Sequence, residues 1–232
     1  MQRFVIVGFG FMGMTHARSI LNHPGARLLA IVDLDPEKAL ESLGKESGNL
    51  DTGALKKETF SEIRTYTSLD ACLAEEKPDA LILSVHTDQH YSLAVQALEA
   101  GVHVLVEKPL VLDPAEGERL IDLASKQDLL LMVAHVVRFM PPYLKLKHWI
   151  ESGEFGKLNC LSMTRFTGLP AWGQWKEKLK DYGSTGGALF DLVIHDIDFV
   201  QWVLGSPDSI KATVLPGKQS SYDYVCAHWT YS

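Results

Sequence analysis

Six short runs with strand character, RFVIVG, ARLLAIVD, TYTS, DALILSV, HVLVE and LLLMVAHV, succeed one another over the first 136 residues. Segments with helical spacing separate them, among them MGMTHARSILNH, DPEKALESLGKES, SLDACLAEE, QHYSLAVQALEAG and DPAEGERLIDLASKQ. Parallel strands need a crossover between them, and a helix is the usual one. Near-continuous apolar strands belong to sheets buried on both faces. The alternation therefore predicts an α/β domain over residues 1–136, a doubly wound parallel sheet with helices on both sides. Local signals agree: Pro36 stands in a first helical turn, Ser68 at a cap, Asp113 before Pro114, and Gly101 just past a helix end.

After residue 136 the rhythm changes. PPYLKLKHWIESGEFG reads as a helix, KLNCLSMTRFTG as a half-exposed strand, and GGALFDLVIHDIDFVQWVLG as a long helix closed by Gly205. SIKATVLPG and YDYVCAHWTYS read as two further strands. Strands without intervening helices imply a largely antiparallel sheet, hence an α+β domain over residues 137–232. The chain stops on a strand with no following strands to complete a broad sheet, which leaves two readings: a truncation of a longer chain, or an unusually small second domain. A small sheet with open edges and one apolar face predicts a homo-oligomer built through it.

Composition excludes several classes. With 22 Lys and Arg against 29 Asp and Glu, the net charge of −7 does not suit a nucleic-acid binder. The longest apolar run, LLLMVAHVV, is too short to cross a bilayer, so no membrane partner is expected. MQRFVIVG leads straight into a glycine loop with no cleavable apolar leader. Cys72, Cys160 and Cys226 are scattered and odd in number, which reads as reduced thiols in a cytoplasmic protein.

VGFGFMG places Gly8, Gly10 and Gly13 as G-x-G-x-x-G between the first strand and the first helix, the context that gives the pattern meaning. Gly8 permits the turn, Gly10 lets the backbone approach a pyrophosphate, and Gly13 allows close helix–strand packing. Phe9, Phe11 and Met12 complete the loop, whose helix N-terminus offers free N–H groups to phosphate. This is the fingerprint of a Rossmann domain. Asp33 ends the second strand 20 residues after Gly13, where a carboxylate binds ribose hydroxyls. With Asp35 beside it and no nearby arginine, a 2′-phosphate would be repelled, which favours NAD over NADP. The other reading of Asp33 is a cap for the helix at PEKAL.

VLVEKPLVL sets Glu107 and Lys108 at the end of an apolar strand, before a proline that cannot join a sheet ladder. The carboxyl ends of parallel strands are where such sheets bind ligands. In STGGALFDLVIHDIDF, Asp191 and His195 stand four residues apart and share a helical face, with Asp198 near it. Three readings compete for that face: a buried structural network of Asp, His and Lys; a metal site; and an acid–base site beside a nicotinamide. The last is preferred, because imidazole titrates near neutral pH and one helix supplies too few metal ligands. No metal is expected.

VGFGFMG, VEKPL and GGALFDLVIHDID, in this order, resemble the Gfo/Idh/MocA family of NAD(P)-dependent sugar and cyclitol dehydrogenases. HYSLAVQALEAGVHV and RFMPPYLKLK extend the likeness along essentially the whole chain. The resemblance implies Lys108, Asp191 and His195 as the catalytic set. His195 would exchange the proton, Lys108 would hold the reacting oxygen, and Asp191 would orient substrate or imidazole. It also implies Glu107 near the nicotinamide ribose, and Ser84, Val85, His86 and His90 in the cofactor loop after the fourth strand. There the chain departs from the family, since Val85, His86 and Thr87 stand in place of T-P-N. The activity so implied is hydride transfer between NAD(H) and a hydroxyl-bearing carbon of a sugar or polyol. The alternative is a dinucleotide-binding regulator without turnover. His16 is expected to be an ordinary helix-face residue. His135 and Arg138 are candidates to line a cleft, and Trp172 and Trp175 are expected in core or interface.

Overall fold

The computed structural model describes residues 1–41, 43, 57–166, 187–217 and 222–232. Of these, Met1–Ala134 form one compact unit and the residues from His135 onward form a second.

In the first unit, β1 (Gln2–Val7), α1 (Phe11–Leu21), β2 (Ala26–Val32), α2 (Pro36–Glu41), β3 (Arg64–Tyr66), α3 (Leu69–Glu76), β4 (Ala80–Leu83), α4 (His90–Glu99), β5 (His103–Val106), α5 (Pro114–Lys126) and β6 (Leu131–Val133) follow in chain order. The strands form one sheet in the order β3-β2-β1-β4-β5-β6, with every pairing parallel. The order reverses direction between β1 and β4, and the carboxyl ends of those strands open the crevice where such folds bind dinucleotides.

The period of two along each strand divides the core. Val5, Val7, Ala30, Val32, Leu81 and Leu83 bury one face against Leu69 and Cys72 of α3, Ala94, Ala97 and Leu98 of α4, and Leu120 and Ala124 of α5. Ile6, Ile31 and Ile82 bury the other against Ala17 and Ile20 of α1, with Phe9 and Phe60. Each large aliphatic side chain so buried contributes about 1.5–3 kcal/mol. Ser68 caps α3 through the Ala71 N–H, and Asp113 caps α5 through the Ala115 N–H. Gly101 follows α4 with φ +76°, a conformation glycine adopts at no steric cost.

Polar contacts tie the periphery. The Arg3 guanidinium donates to both Asp79 oxygens, at 3.2 and 2.7 Å, and its backbone N–H donates to the same carboxylate at 2.8 Å, fastening the start of β1 to the entry of β4. At the short edge strand β3, Arg64 and Tyr66 both donate to the buried Glu76 carboxylate of α3, at 2.6 and 2.7 Å. Burial pushes the neighbouring Cys72 thiol up to about 12.

In the second unit, α6 (Pro141–Ser152) ends at Gly153. A helical stretch opening at Gly187 contains a π segment, Leu189–Val193, and continues as α7 (Ile194–Leu204), ending at Gly205. β7 (Ser209–Leu215) and β8 (Tyr224–Thr230) pair antiparallel, with Ile210 opposite Trp229, Ala212 opposite Ala227 and Val214 opposite Val225. These three pairs give the sheet one apolar face. The strand expected over KLNCLSMTRFTG is not found in its described part: residues 157–166 have no sheet pairing with any described residue. An alternating pattern makes a strand only when a neighbour completes its ladder.

Among the described residues, no helix is long and apolar enough to cross a membrane.

Candidate active site

The glycine loop leaves β1 at Gly8, whose φ is +85°. A Cβ at Gly8 would meet the Ser84 carbonyl oxygen at 2.6 Å, and one at Gly13 would meet the Gly8 carbonyl oxygen at 2.1 Å. Both positions exclude side chains because backbone lies against them. Gly10 differs: a Cβ there would meet nothing within 4 Å. It is the N-cap of α1 with no side-chain cap, and no acidic residue stands in the first turn. The first N–H groups of α1, from Phe11, Met12 and Gly13, therefore meet no carboxylate from their own turn.

Phe9 turns its ring into the core, edge-on to Phe60 at 5.5 Å, which anchors the loop from below. Its backbone N–H donates to Oδ2 of Asp33 at 2.7 Å. The Asp35 N–H donates to Oδ1 of the same carboxylate at 3.1 Å. Asp33 thus links the end of β2 to the glycine loop. The capping of α2 falls to Asp35, which accepts from the Lys38 N–H.

Beyond β4, the Ser84 hydroxyl donates to the Gly8 carbonyl at 2.7 Å. Val85 packs on the core and His86 is exposed. His90 opens α4 and is 1% exposed; its Nδ1 lies 2.8 Å from the Pro109 carbonyl oxygen and 3.3 Å from that of Leu110, and its Nε2 lies 3.3 Å from the Val85 carbonyl oxygen. Beyond β5, Glu107 is buried and Lys108 half-buried, and the Lys108–Pro109 peptide is cis.

His16 of α1 donates from Nε2 to Oε1 of Glu107 at 2.8 Å. Sequence reasoning passed over this histidine. The signal was its place three residues after Gly13, on the helix face that Gly13 presents to the strand ends.

In the second unit, Asp191 lies within the π segment, where the Ile194 N–H reaches the Leu189 carbonyl, and His195 follows in the first turn of α7. Both are half-buried. A π turn takes one more residue than an α turn, so the four-residue spacing does not stack the two as a plain α-helix would. Asp198 is buried and accepts both nitrogens of the Arg138 fork, at 2.8 and 2.5 Å, with His135 Nε2 at 3.5 Å. Hydrogen bonding to Asp198 raises the Arg138 pKa. Arg138 also lies over the Trp202 ring. Asp196 is held by Arg165 at 3.1 and 2.8 Å. Arg138 and His135 thus serve an internal ion cluster. Among the described residues, no group of three His, Cys, Asp or Glu is gathered as a metal site would require. Trp172 and Trp175 lie outside the described residues.

Residues 2–135 match the family model described as an oxidoreductase family with an NAD-binding Rossmann fold, and residues 143–232 match the GFO/IDH/MocA C-terminal domain. An inositol 2-dehydrogenase of Rhizobium meliloti is 29% identical over 214 residues, covering 91% of this chain and 58% of that protein. A UDP-N-acetylglucosamine 3-dehydrogenase of Acidithiobacillus ferrooxidans is 26% identical over 230 residues, covering 99% of this chain and 63% of that protein. The crystal structure of an NAD-binding protein from Listeria innocua superposes with a TM-score of 0.74 at 25% identity, covering 92% of this chain and 58% of that one. The chain spans less than two thirds of the length of each of these proteins. With both of its parts matched, the chain belongs to the GFO/IDH/MocA family of oxidoreductases, and its first unit is that family's NAD-binding Rossmann domain.

Proposed function

We propose that the protein transfers a hydride between NAD(H) and a hydroxyl-bearing carbon of a sugar or polyol. The observation that carries this reading is the joining of the glycine-loop helix to the E-K-P turn: His16 of α1 holds Glu107, and Lys108 is the next residue. A helix start suited to phosphate and a cation suited to a reacting oxygen are thereby neighbours in one unit. The residues fit a dinucleotide. Gly10 leaves room for close backbone approach, the first turn of α1 carries no acid to repel phosphate, and Asp33 sits at the end of β2. Asp33 uses one acceptor position on each oxygen internally, and a carboxylate has about four. The remainder suits ribose hydroxyls, and the negative charge disfavours a 2′-phosphate, so NAD is the preferred cofactor. When bound, that cofactor supplies the hydride acceptor or donor.

Each residue then has a task. The Lys108 ammonium stabilises negative charge developing on the substrate oxygen. His195 takes the hydroxyl proton as its carbon is oxidised and returns it in reduction. Asp191 orients the substrate or the imidazole. The substrate class follows the relatives, which are dehydrogenases of an inositol and of a nucleotide sugar. Three free thiols, at Cys72, Cys160 and Cys226, suit a reducing cytoplasm. The apolar face of the β7–β8 sheet, with Ile210 55% and Val214 38% exposed, suits burial against a second copy of the chain.

The test is fluorescence titration with NADH and NADPH, then NAD+ reduction with a panel of inositols, other polyols, sugars and nucleotide sugars. Tighter NADH binding with turnover of a panel member supports the reading. Binding without turnover of any of them favours a dinucleotide-binding regulator, and absence of binding overturns both.

A further inference from the structure

The turn that carries Lys108 leaves the end of β5, and the Lys108 N–H donates to Oε2 of Glu107 at 3.3 Å. Glu107 closes the β5 ladder by donating its N–H to the Leu83 carbonyl at 2.9 Å, and Pro109 has no N–H to offer. Two histidines from two different helices reach this turn. On one side of Lys108, His16 of α1 donates to the Glu107 carboxylate at 2.8 Å; the two side chains are 17% and 8% exposed. A carboxylate so buried needs a partner, and the imidazole supplies it. On the other side, His90 of α4 places Nδ1 against the carbonyls of Pro109 and Leu110, at 2.8 and 3.3 Å. A ring nitrogen facing two carbonyl oxygens is the protonated, donating one. The same ring sets Nε2 3.3 Å from the Val85 carbonyl oxygen just beyond β4; with the single N–H of a neutral imidazole on Nδ1, this is packing and not a second hydrogen bond.

We propose that His16 and His90 are positioning residues for Lys108, clasping the Glu107–Leu110 turn from both sides so that the ammonium leaves from a fixed backbone. The role assigned to Lys108 rests on the dehydrogenase reading, whereas the clasp itself rests on the geometry of the first unit. His90 acts through the turn, since it is 1% exposed and its nitrogens face backbone carbonyls. His16 rides the helix that begins at the glycine loop, so the loop that receives phosphate and the turn that carries Lys108 share one rigid support.

The experiment pairs a removing with a conservative variant at each position. His90→Leu deletes the donor, while His90→Asn places an amide N–H where Nδ1 stood. His16→Leu deletes the other donor, while His16→Gln places an amide N–H where Nε2 stood. Each protein is measured by amide hydrogen exchange, by NADH fluorescence titration and by NAD+ reduction with the panel of inositols, other polyols, sugars and nucleotide sugars. In the Leu variants, exchange over residues 107–111 should rise by roughly 10-fold or more while the core strands β1 and β4 keep their protection. NADH affinity should stay within about 3-fold of wild type, and kcat should fall by roughly 100-fold, the scale of a catalytic group displaced by about 1 Å. The Asn and Gln variants should recover most of each loss. Unchanged exchange over 107–111, equal loosening of the whole unit, or no recovery in the conservative variants would overturn the clasp. So would loss of NADH binding with a quiet turn, which would make His90 a direct cofactor contact. If His90→Leu does not fold, the less buried His16 pair and His90→Asn still decide. If the exchange pattern appears while neither wild type nor any variant turns over any member of that panel, the clasp stands and the dehydrogenase reading falls.

Discussion

Oδ2 of Asp33 accepts the backbone N–H of Phe9 at 2.7 Å, so the acid at the end of β2 also holds the glycine loop in place. Asp33→Ala should therefore weaken NADH by roughly 10- to 100-fold, the scale of a hydrogen bond to a charged group. NADPH should lose less, because the same substitution removes a charge that repels its 2′-phosphate. Parallel fluorescence titrations of the two cofactors measure the difference.

Gly10 and Gly13 should separate binding from folding. The Gly10→Ala methyl meets no atom of the protein, so thermal stability should change by no more than about 0.5 kcal/mol. NADH affinity should fall by at least about 10-fold, because the methyl stands where backbone must approach pyrophosphate. Gly13→Ala drives a methyl onto the Gly8 carbonyl and should lower both the melting temperature and the affinity.

Lys108→Met keeps most of the side-chain length and removes the charge. NADH should still bind, while turnover of any responsive polyol or sugar falls by about 100-fold or more, as when one charge-stabilising donor is lost. Unchanged turnover would leave Lys108 a structural residue.

Hydrogen bonds from the Arg3 guanidinium hold the Asp79 carboxyl down to about 2. A depressed folded pKa stabilises the fold above the unfolded value and is lost as pH falls through the folded one. This pair should therefore contribute fully above about pH 4 and vanish by about pH 2. Asp79→Asn should flatten that segment of the acid-unfolding curve and leave the neutral-pH slope unchanged.

Asp198→Ala should destabilise the second unit by about 3 kcal/mol, near the low end for a broken buried pair. The side chains of Arg138 and Asp198 are 35% and 8% exposed, so the orphaned guanidinium keeps some access to water. NADH affinity should not move. Comparing melts with titrations would distinguish this ion cluster from the cofactor residues.

Much of the first unit was legible because its signals are local and agree. Val5, Ile6 and Val7 alternate between two cores, Ser68 and Asp113 cap the helices they precede, and Gly8 and Gly13 fall where backbone crowds backbone. What escaped depends on contacts far apart in the chain. The spacing from Gly13 turns His16 toward the strand ends but does not single out Glu107, 91 residues away, and nothing near Asp198 announces Arg138, 60 residues away. The strand expected over 157–166 rested on alternation alone, and a ladder partner is a tertiary fact. The π segment escaped for another reason. LFDLVIHDID has the apolar spacing of an ordinary helix, and the extra residue in one turn shows only in which carbonyl the Ile194 N–H reaches.

That extra residue is slack held in a single wide turn of the helix. Successive residues of an α-helix are about 100° apart, so removing one residue from Leu189–Val193 would restore an unbroken α register. Because the wide turn already takes up the extra residue, the helix before the deletion would keep its orientation against the helix after it. Asp196 and Asp198 would stay on their arginines, and the change of direction would be confined to side chains of the wide turn, Asp191 among them. A one-residue deletion would thus re-aim one carboxylate and leave both ion pairs of α7 where they are.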